Sequence, residues 1–149
     1  MTDKEKTLFI DWKTKKKKIK ITDVQREFNR AIVRRDKMCK VRDNYSSCAG
    51  SLQCSHFYTV GGNSALRFFP CNAYTQCAGH HIRHHHHDPL FYARYMQEQH
   101  AEDLQLMERL RGKVCRYSQD VLERIFDFCK NDELQKLKNY IIELLEGEE

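Results

Sequence analysis

No stretch of this sequence approaches the roughly 18 consecutive apolar residues that a membrane-spanning helix requires, which argues against a helical membrane protein. The first residues lack the apolar run of a secretory signal, so a cytoplasmic protein is expected. No internal repeat is visible, which excludes the repeat architectures. A disulfide framework is also disfavoured, because seven cysteines is an odd number in a chain expected to stay in a reducing compartment. What remains is a polar chain of 149 residues, 40% hydrophobic and 32% charged, long enough for one domain with a modest core.

The formal net charge of +5 is unevenly spread. Lys13, Lys15 to Lys18 and Lys20 form a basic run, and Arg26, Arg30, Arg34, Arg35, Lys37, Lys40 and Arg42 follow. The chain closes on acidic residues at Glu143, Glu146, Glu148 and Glu149. A basic first third points to a polyanionic partner, nucleic acid first. The plainer explanation is a solvated lysine arm.

The hydrophobic pattern divides the chain into an arm over residues 1–21, a core over residues 22–87 and a helical extension over residues 88–149. A short strand is expected near Ile19 to Ile21. Thr22 with Gln25 reads as a capping box, and Val24, Phe28, Ala31 and Ile32 recur at helical spacing, predicting a helix to about Met38. Residues 39–65 are rich in turn formers, among them Asp43-Asn44, Gly50 and Gly61-Gly62-Asn63. Strands are predicted over Gln53 to Tyr58 and over Ala65 to Phe69, the second ended by Pro70, with a short helix from near Thr75. Asp88-Pro89 should open a helix running to Arg111 and stopped by Gly112. Ser118 can cap another, containing Val121, Leu122, Ile125 and Phe126. Asn131 precedes the last, whose Leu134, Leu137, Ile141, Leu144 and Leu145 form a stripe for the core or for a homodimer seam. The fold class is α+β: a small zinc-stabilised ββα core between an N-terminal helix and a helical extension.

The cysteines cluster where such a core needs help. Structural zinc sites take four soft or borderline ligands, usually as two close pairs. Cys77-x-x-His80 is one pair, and Cys39 with Cys48, at the end of the first helix and across a turn, is the other. Cys54 and Cys71 are the alternatives to members of this second pair. Two short strands and a short helix bury too little apolar surface to stay folded alone, and a metal crosslink offsets that shortage. Cys115 and Cys129 fall in later helical patterns and read as small hydrophobes.

A second chemistry is written in the histidines. On a helix, His81 and His85 stand at i and i+4 and share a face, able to offer two nitrogens to a divalent metal (Mg²⁺, Mn²⁺ or Zn²⁺). Whether Ser55, His84, His86 or His87 joins them is left open. His56 sits apart from the zinc pairs, and a neutral imidazole suits taking a proton from water near neutral pH. Asn72 would orient that base or brace its loop, and Arg67 could grip a phosphate as a bidentate donor. Phosphodiester hydrolysis needs this set: a base, a strut and a metal for the leaving oxygen.

These residues resemble the HNH, or ββα-metal, nuclease superfamily, and more narrowly the lambdoid phage NinG/Rap recombination endonucleases. The resemblance is carried by Ser55-His56-Phe57-Tyr58, Gly61-Gly62, Leu66-Arg67-Phe68, Asn72 and Cys77, and more loosely by Asp88 through Leu110 with its Tyr92. It implies a zinc-stabilised, metal-dependent endonuclease of the host-cell cytoplasm acting on branched DNA such as Holliday junctions and D-loops. The base role falls on His56, the strut on Asn72 and the metal role on His81. This sequence departs from the family in having Cys39 and Cys48 for a Cys-x-x-Cys knuckle, His80 where cysteine is commoner, and Ser55 where many members carry a metal ligand. Two other functions fit the same residues: a zinc-dependent DNA-binding module that does not cut, and an HNH enzyme of the homing, restriction or packaging kind.

Overall fold

Val24, Phe28, Ala31 and Ile32 are all fully buried along one face of helix α1 (Ile21–Asp36), as their helical spacing requires. The computed structural model describes residues 17–42 and 47–147. The basic run before Lys17, the Asp43-Asn44 turn, Glu148 and Glu149 lie outside the described residues. Helix α1 begins at Ile21 with Lys20 as its cap, so Thr22 lies inside the first turn and forms no capping box. Nor does a strand form at Ile19. Its backbone N–H donates to the Gln119 side chain and its carbonyl accepts from the same amide, which holds the approach to α1 against a distant helix.

Two strands follow, β1 (Leu52–His56) and β2 (Ala73–Cys77), paired antiparallel with Leu52 opposite Cys77 and His56 opposite Ala73. The second strand is therefore not the expected Ala65 to Phe69. That segment holds a 3₁₀ turn (Ser64–Leu66), with Ala65, Leu66, Phe68 and Phe69 fully buried. An apolar run buried on every side has no need of a strand's alternation, and its periodicity misleads. The expected histidine helix starts at Ala78 rather than Thr75, as α2 (Ala78–His86).

A two-stranded sheet has two open edges, and α1 closes one of them with side chains. Asp36, whose side chain is 5% exposed, accepts from the Thr75 N–H at 2.8 Å. Arg35 donates to the carbonyls of Pro70 (3.0 Å) and Ala73 (2.7 Å), and the Lys40 N–H donates to the Thr75 carbonyl at 2.8 Å. The backbone groups that a third strand would have paired are thus satisfied.

The expected long helix is two, α3 (Leu90–Gln99) and α4 (Ala101–Leu110), broken at His100 (φ −139°, ψ 41°). The hydroxyls of Tyr74 and Tyr95 meet its two ring nitrogens at 3.2 and 3.1 Å, and its ring stacks on Tyr74. Helices α5 (Gln119–Lys130) and α6 (Leu134–Glu146) complete the fold, α5 capped by Ser118 as expected and packed along α1. Leu134, Leu137 and Ile141 are buried within the chain, and Leu144 and Leu145 are half-buried. The described residues make an α+β fold, and none of its helices is long and apolar enough to cross a membrane.

Candidate metal centre and histidine site

The metal group assembles where α1, the loop after it and the β2–α2 junction converge. Cys39 follows the left-handed residue Lys37 (φ 63°) that ends α1, and Cys48 comes from the loop before β1. Cys77 ends β2 and caps α2, its sulfur accepting from the His80 N–H at 3.4 Å. The three sulfurs lie 3.4, 3.8 and 3.0 Å (Cys39, Cys48, Cys77) from His80 Nδ1, and all four donor atoms fall within 4.8 Å of one another. Tetrahedral zinc would set sulfur–nitrogen separations of about 3.5 Å and sulfur–sulfur separations of about 3.8 Å. The donor set and its size fit, and Cys39, Cys48, Cys77 and His80 form a group able to hold a metal ion such as zinc. Cys54 and Cys71, the alternative ligands, lie outside it.

The backbone around the group is specialised for close approach. The Ala78 N–H donates to the Ser51 carbonyl and the Gly79 N–H to the Ala49 carbonyl, both at 2.8 Å. Between them Gly50 has φ +81°, and a Cβ there would stand 2.7 Å from the Ala78 Cβ. Burial pushes the Cys77 thiol up, but the His80 and Ala49 N–H groups and the neighbouring side chains outweigh it and bring it down to about 6. Loss of hydration and the nearby Cys39 and Cys77 sulfurs push Cys48 up to about 11. Three sulfurs this close cannot all ionise without a cation among them.

His56 ends β1 with its ring stacked on Phe28, centroids 5.7 Å apart. Its Nε2 stands 3.2 Å from the Arg67 carbonyl, so Nε2–H donates there and Nδ1 keeps the lone pair. Burial lowers His56 to about 4; the Arg67 carbonyl restores part of that, while the charges of Arg67 and His81 oppose protonation further. The imidazole is neutral at pH 7.

Asn72 is fully buried and spans the loop that leaves β1. Its Oδ1 accepts from the Tyr58 N–H at 2.8 Å, and its Nδ2 donates to the carbonyls of Tyr58 (3.0 Å) and Leu66 (3.2 Å). Its own carbonyl accepts from the Phe57 N–H at 2.8 Å. One amide thereby fixes both ends of the loop that presents the Arg67 carbonyl to His56. These bonds brace that loop. Arg67 lies in the turn after the 3₁₀ segment and not on a strand, its Nε donating to Gln25 at 2.9 Å.

His81 and His85 do share a face of α2, with ring centroids 4.7 Å apart. Gln53 Oε1 accepts from His81 Nδ1 at 2.8 Å, which leaves Nε2 as the free lone pair. Burial and then the His85 charge lower His81. The His84 ring lies 4.9 Å from that of His85 and 4.9 Å from that of Tyr92, while His86 and His87 are exposed at the helix end. Ser55 is buried, its Oγ without a hydrogen-bond partner among the described residues. No third His, Cys, Asp or Glu among the described residues joins His81 and His85 in a ligand group.

Two supporting residues escaped the sequence reading. Gln53 orients His81, but with β2 misplaced its neighbourhood could not be known. Tyr92 is fully buried, its hydroxyl donating to the Ser55 carbonyl (2.7 Å) and accepting from the Tyr74 N–H (3.2 Å), so it bridges both strands. A tyrosine that near the histidine run was the available signal.

No family model, curated protein or solved structure matches the chain. Fold and site together define an α+β protein with a Cys₃His group suited to a metal ion such as zinc. Its function has to be read from its own residues.

Proposed function

We propose that this chain is a metal-dependent DNA endonuclease of the HNH type, its fold pinned by zinc at Cys39, Cys48, Cys77 and His80. One observation carries the reading. His56, Asn72 and the His81–His85 pair fall at the end of β1, in the 3₁₀ turn (Pro70–Asn72) just before β2 and on one face of α2, within a single ββα unit.

In this reading His56 Nδ1 takes a proton from water, and the resulting oxygen attacks phosphorus as the bond to the opposite ester oxygen breaks. The Arg67 carbonyl, on Nε2–H, holds the ring in the required tautomer, and Asn72 holds that carbonyl's loop. A group held near 4 is a weak base in the free protein. The negative charge of an approaching phosphodiester raises it and strengthens it in the complex. His81 and His85 are the residues that would hold a divalent ion, whose charge neutralises the leaving oxygen when bound.

Branched recombination intermediates as the substrate, and a homodimer that would cut two strands, follow from the family resemblance and from the symmetry of a junction. The second reading, a zinc-dependent binding module without cutting, is favoured by Ser55, which leaves only two histidines for the catalytic ion. Cleavage of a labelled four-way junction and of a linear duplex, with Mg²⁺ or Mn²⁺, separates the readings. Junction cutting lost in His56→Ala at unchanged zinc content supports the endonuclease. Tight binding without cutting under every ion tried supports the module.

A further inference from the structure

Between α1 and β1 runs a groove of about 640 Å³ whose lining includes Arg26, Arg30 and Arg34 of α1, Gln53 of β1 and His81 of α2. Among the described residues, three arginines line it and no carboxylate does. A cavity of the same volume, which shares Arg34 with this groove, mixes Arg35, Lys37 and Lys138 with Asp103 and Asp132, so its lining is of both signs. The groove also ends on His81, held there by Gln53.

Arg26 and Arg30 stand four residues apart, one step of about 6 Å along the helix axis. One DNA strand carries a charge every 3.4 Å or so of duplex axis, so the pair faces about two phosphates. The side chains of Arg26 and Arg30 are 61% and 63% exposed. Among the described residues each makes a single ion pair one turn back, with Asp23 at 3.5 Å and Glu27 at 3.6 Å. The Arg26 pair is exposed on both sides and weak, and the 15% exposed Glu27 also pairs with Arg34 at 3.3 Å, so both guanidiniums can turn outward to a phosphate. Arg34 is committed elsewhere, to Asp132 at 2.8 Å and the Cys129 carbonyl at 2.9 Å.

We infer that this groove is the track for the DNA backbone, with Arg26 and Arg30 gripping phosphates of one strand and leading it to His81. The inference deepens the nuclease reading and rests on it for the identity of the strand's destination. It assigns Arg26 and Arg30 a positioning role that is electrostatic and independent of base sequence. Arg34 serves chiefly to tie α1 to the end of α5.

The test is equilibrium binding of a labelled duplex and a labelled four-way junction without added Mg²⁺ or Mn²⁺, across a series of salt concentrations. Wild type is compared with Arg26→Ala, Arg30→Ala, the double variant, and Lys136→Gln, an exposed single-charge change on α6. On duplex, each single arginine variant should reduce the slope of log K against log salt by about 0.9, and the double variant by about 1.8. Lys136→Gln should leave it unchanged, and unaltered thermal melting shows that the variants fold. A wild-type slope in the double variant, a loss matched by Lys136→Gln, or no DNA binding by wild type would overturn the inference. The expected slope losses in the arginine variants, with cleavage absent or indifferent to His56→Ala, would instead sink the nuclease reading and leave the track standing.

Discussion

Replacing Asn72 with alanine separates a strut from a substrate-binding residue. The substitution removes three hydrogen bonds from a fully buried amide: one accepted from the Tyr58 N–H, and two donated to the Tyr58 and Leu66 carbonyls. An orphaned buried N–H costs about 1–3 kcal/mol, and each carbonyl that loses a donor about half of that or less. The sum is about 3 kcal/mol, a large part of a typical domain's stability. For a chain of this length it corresponds to a fall in melting temperature of about 6–12 °C. Asn72→Asp supplies the internal control. It keeps the acceptor for Tyr58 but turns a second oxygen on two carbonyls, so the carboxyl is held above its ordinary range in the folded state. That variant should be at least as unstable as Asn72→Ala at pH 7. It should recover as pH falls toward about 4, where the protonated acid can donate again. Thermal and urea unfolding measured at both pH values, beside junction cleavage, decide the matter. An Asn72→Ala protein that melts within a degree of wild type but no longer cuts would refute the strut and make Asn72 a substrate ligand.

Metal analysis should find one zinc per chain, lost in Cys48→Ser and kept in Cys54→Ser and Cys71→Ser. Removing it with a strong chelator should unfold the chain at 25 °C, since a structural site contributes on the order of 10 kcal/mol to folding. Asp36→Ala orphans the Thr75 N–H and strips Arg35 of its ion pair, and should cost about 2–4 kcal/mol in urea unfolding. A loss under 1 kcal/mol would mean that the β2 edge does not depend on it. The His56 imidazole should titrate near 4 by NMR, with the proton on Nε2 when neutral. Its pKa is depressed on folding, so its share of stability is complete above about 6.5 and lost as pH falls toward 4. A midpoint at or above 6.5, or a proton on Nδ1, would contradict the burial and the Arg67 bond.

The features that could be read from the sequence are those whose physics is local. Cys77-x-x-His80 is one turn of chain, and an N-terminal sulfur there both caps α2 and lies 3.0 Å from His80 Nδ1, in a group able to hold one ion. The buried stripe of α1 and the Ser118 cap follow from residues a few places apart, and so does the shared face of His81 and His85. The misplaced strand and the split helix come from long-range contacts. All five residues of β2 are buried, Thr75 and Gln76 among them, so no alternation marks the strand. The signals that make it one, the Asp36 carboxylate and the Arg35 guanidinium on its edge, lie more than thirty residues upstream. His100 breaks a helix without proline or glycine because the hydroxyls of Tyr74 and Tyr95 hold its ring.

The same division runs through the site. The side chains that would do chemistry can be named from residue type and spacing, but what makes them usable cannot. His56 has a defined tautomer because a carbonyl eleven residues later reaches its Nε2. That carbonyl is in place only because Asn72 closes the loop around it, and Asn72 is itself fixed by the start of β2. Gln53 prepares His81 in the same indirect way, from the strand beside it. Each proposed catalytic nitrogen therefore depends on a neutral partner, the Arg67 carbonyl or the Gln53 amide, that residue type and spacing do not single out. Mutating Gln53 or Asn72 should change the behaviour of a histidine without removing it.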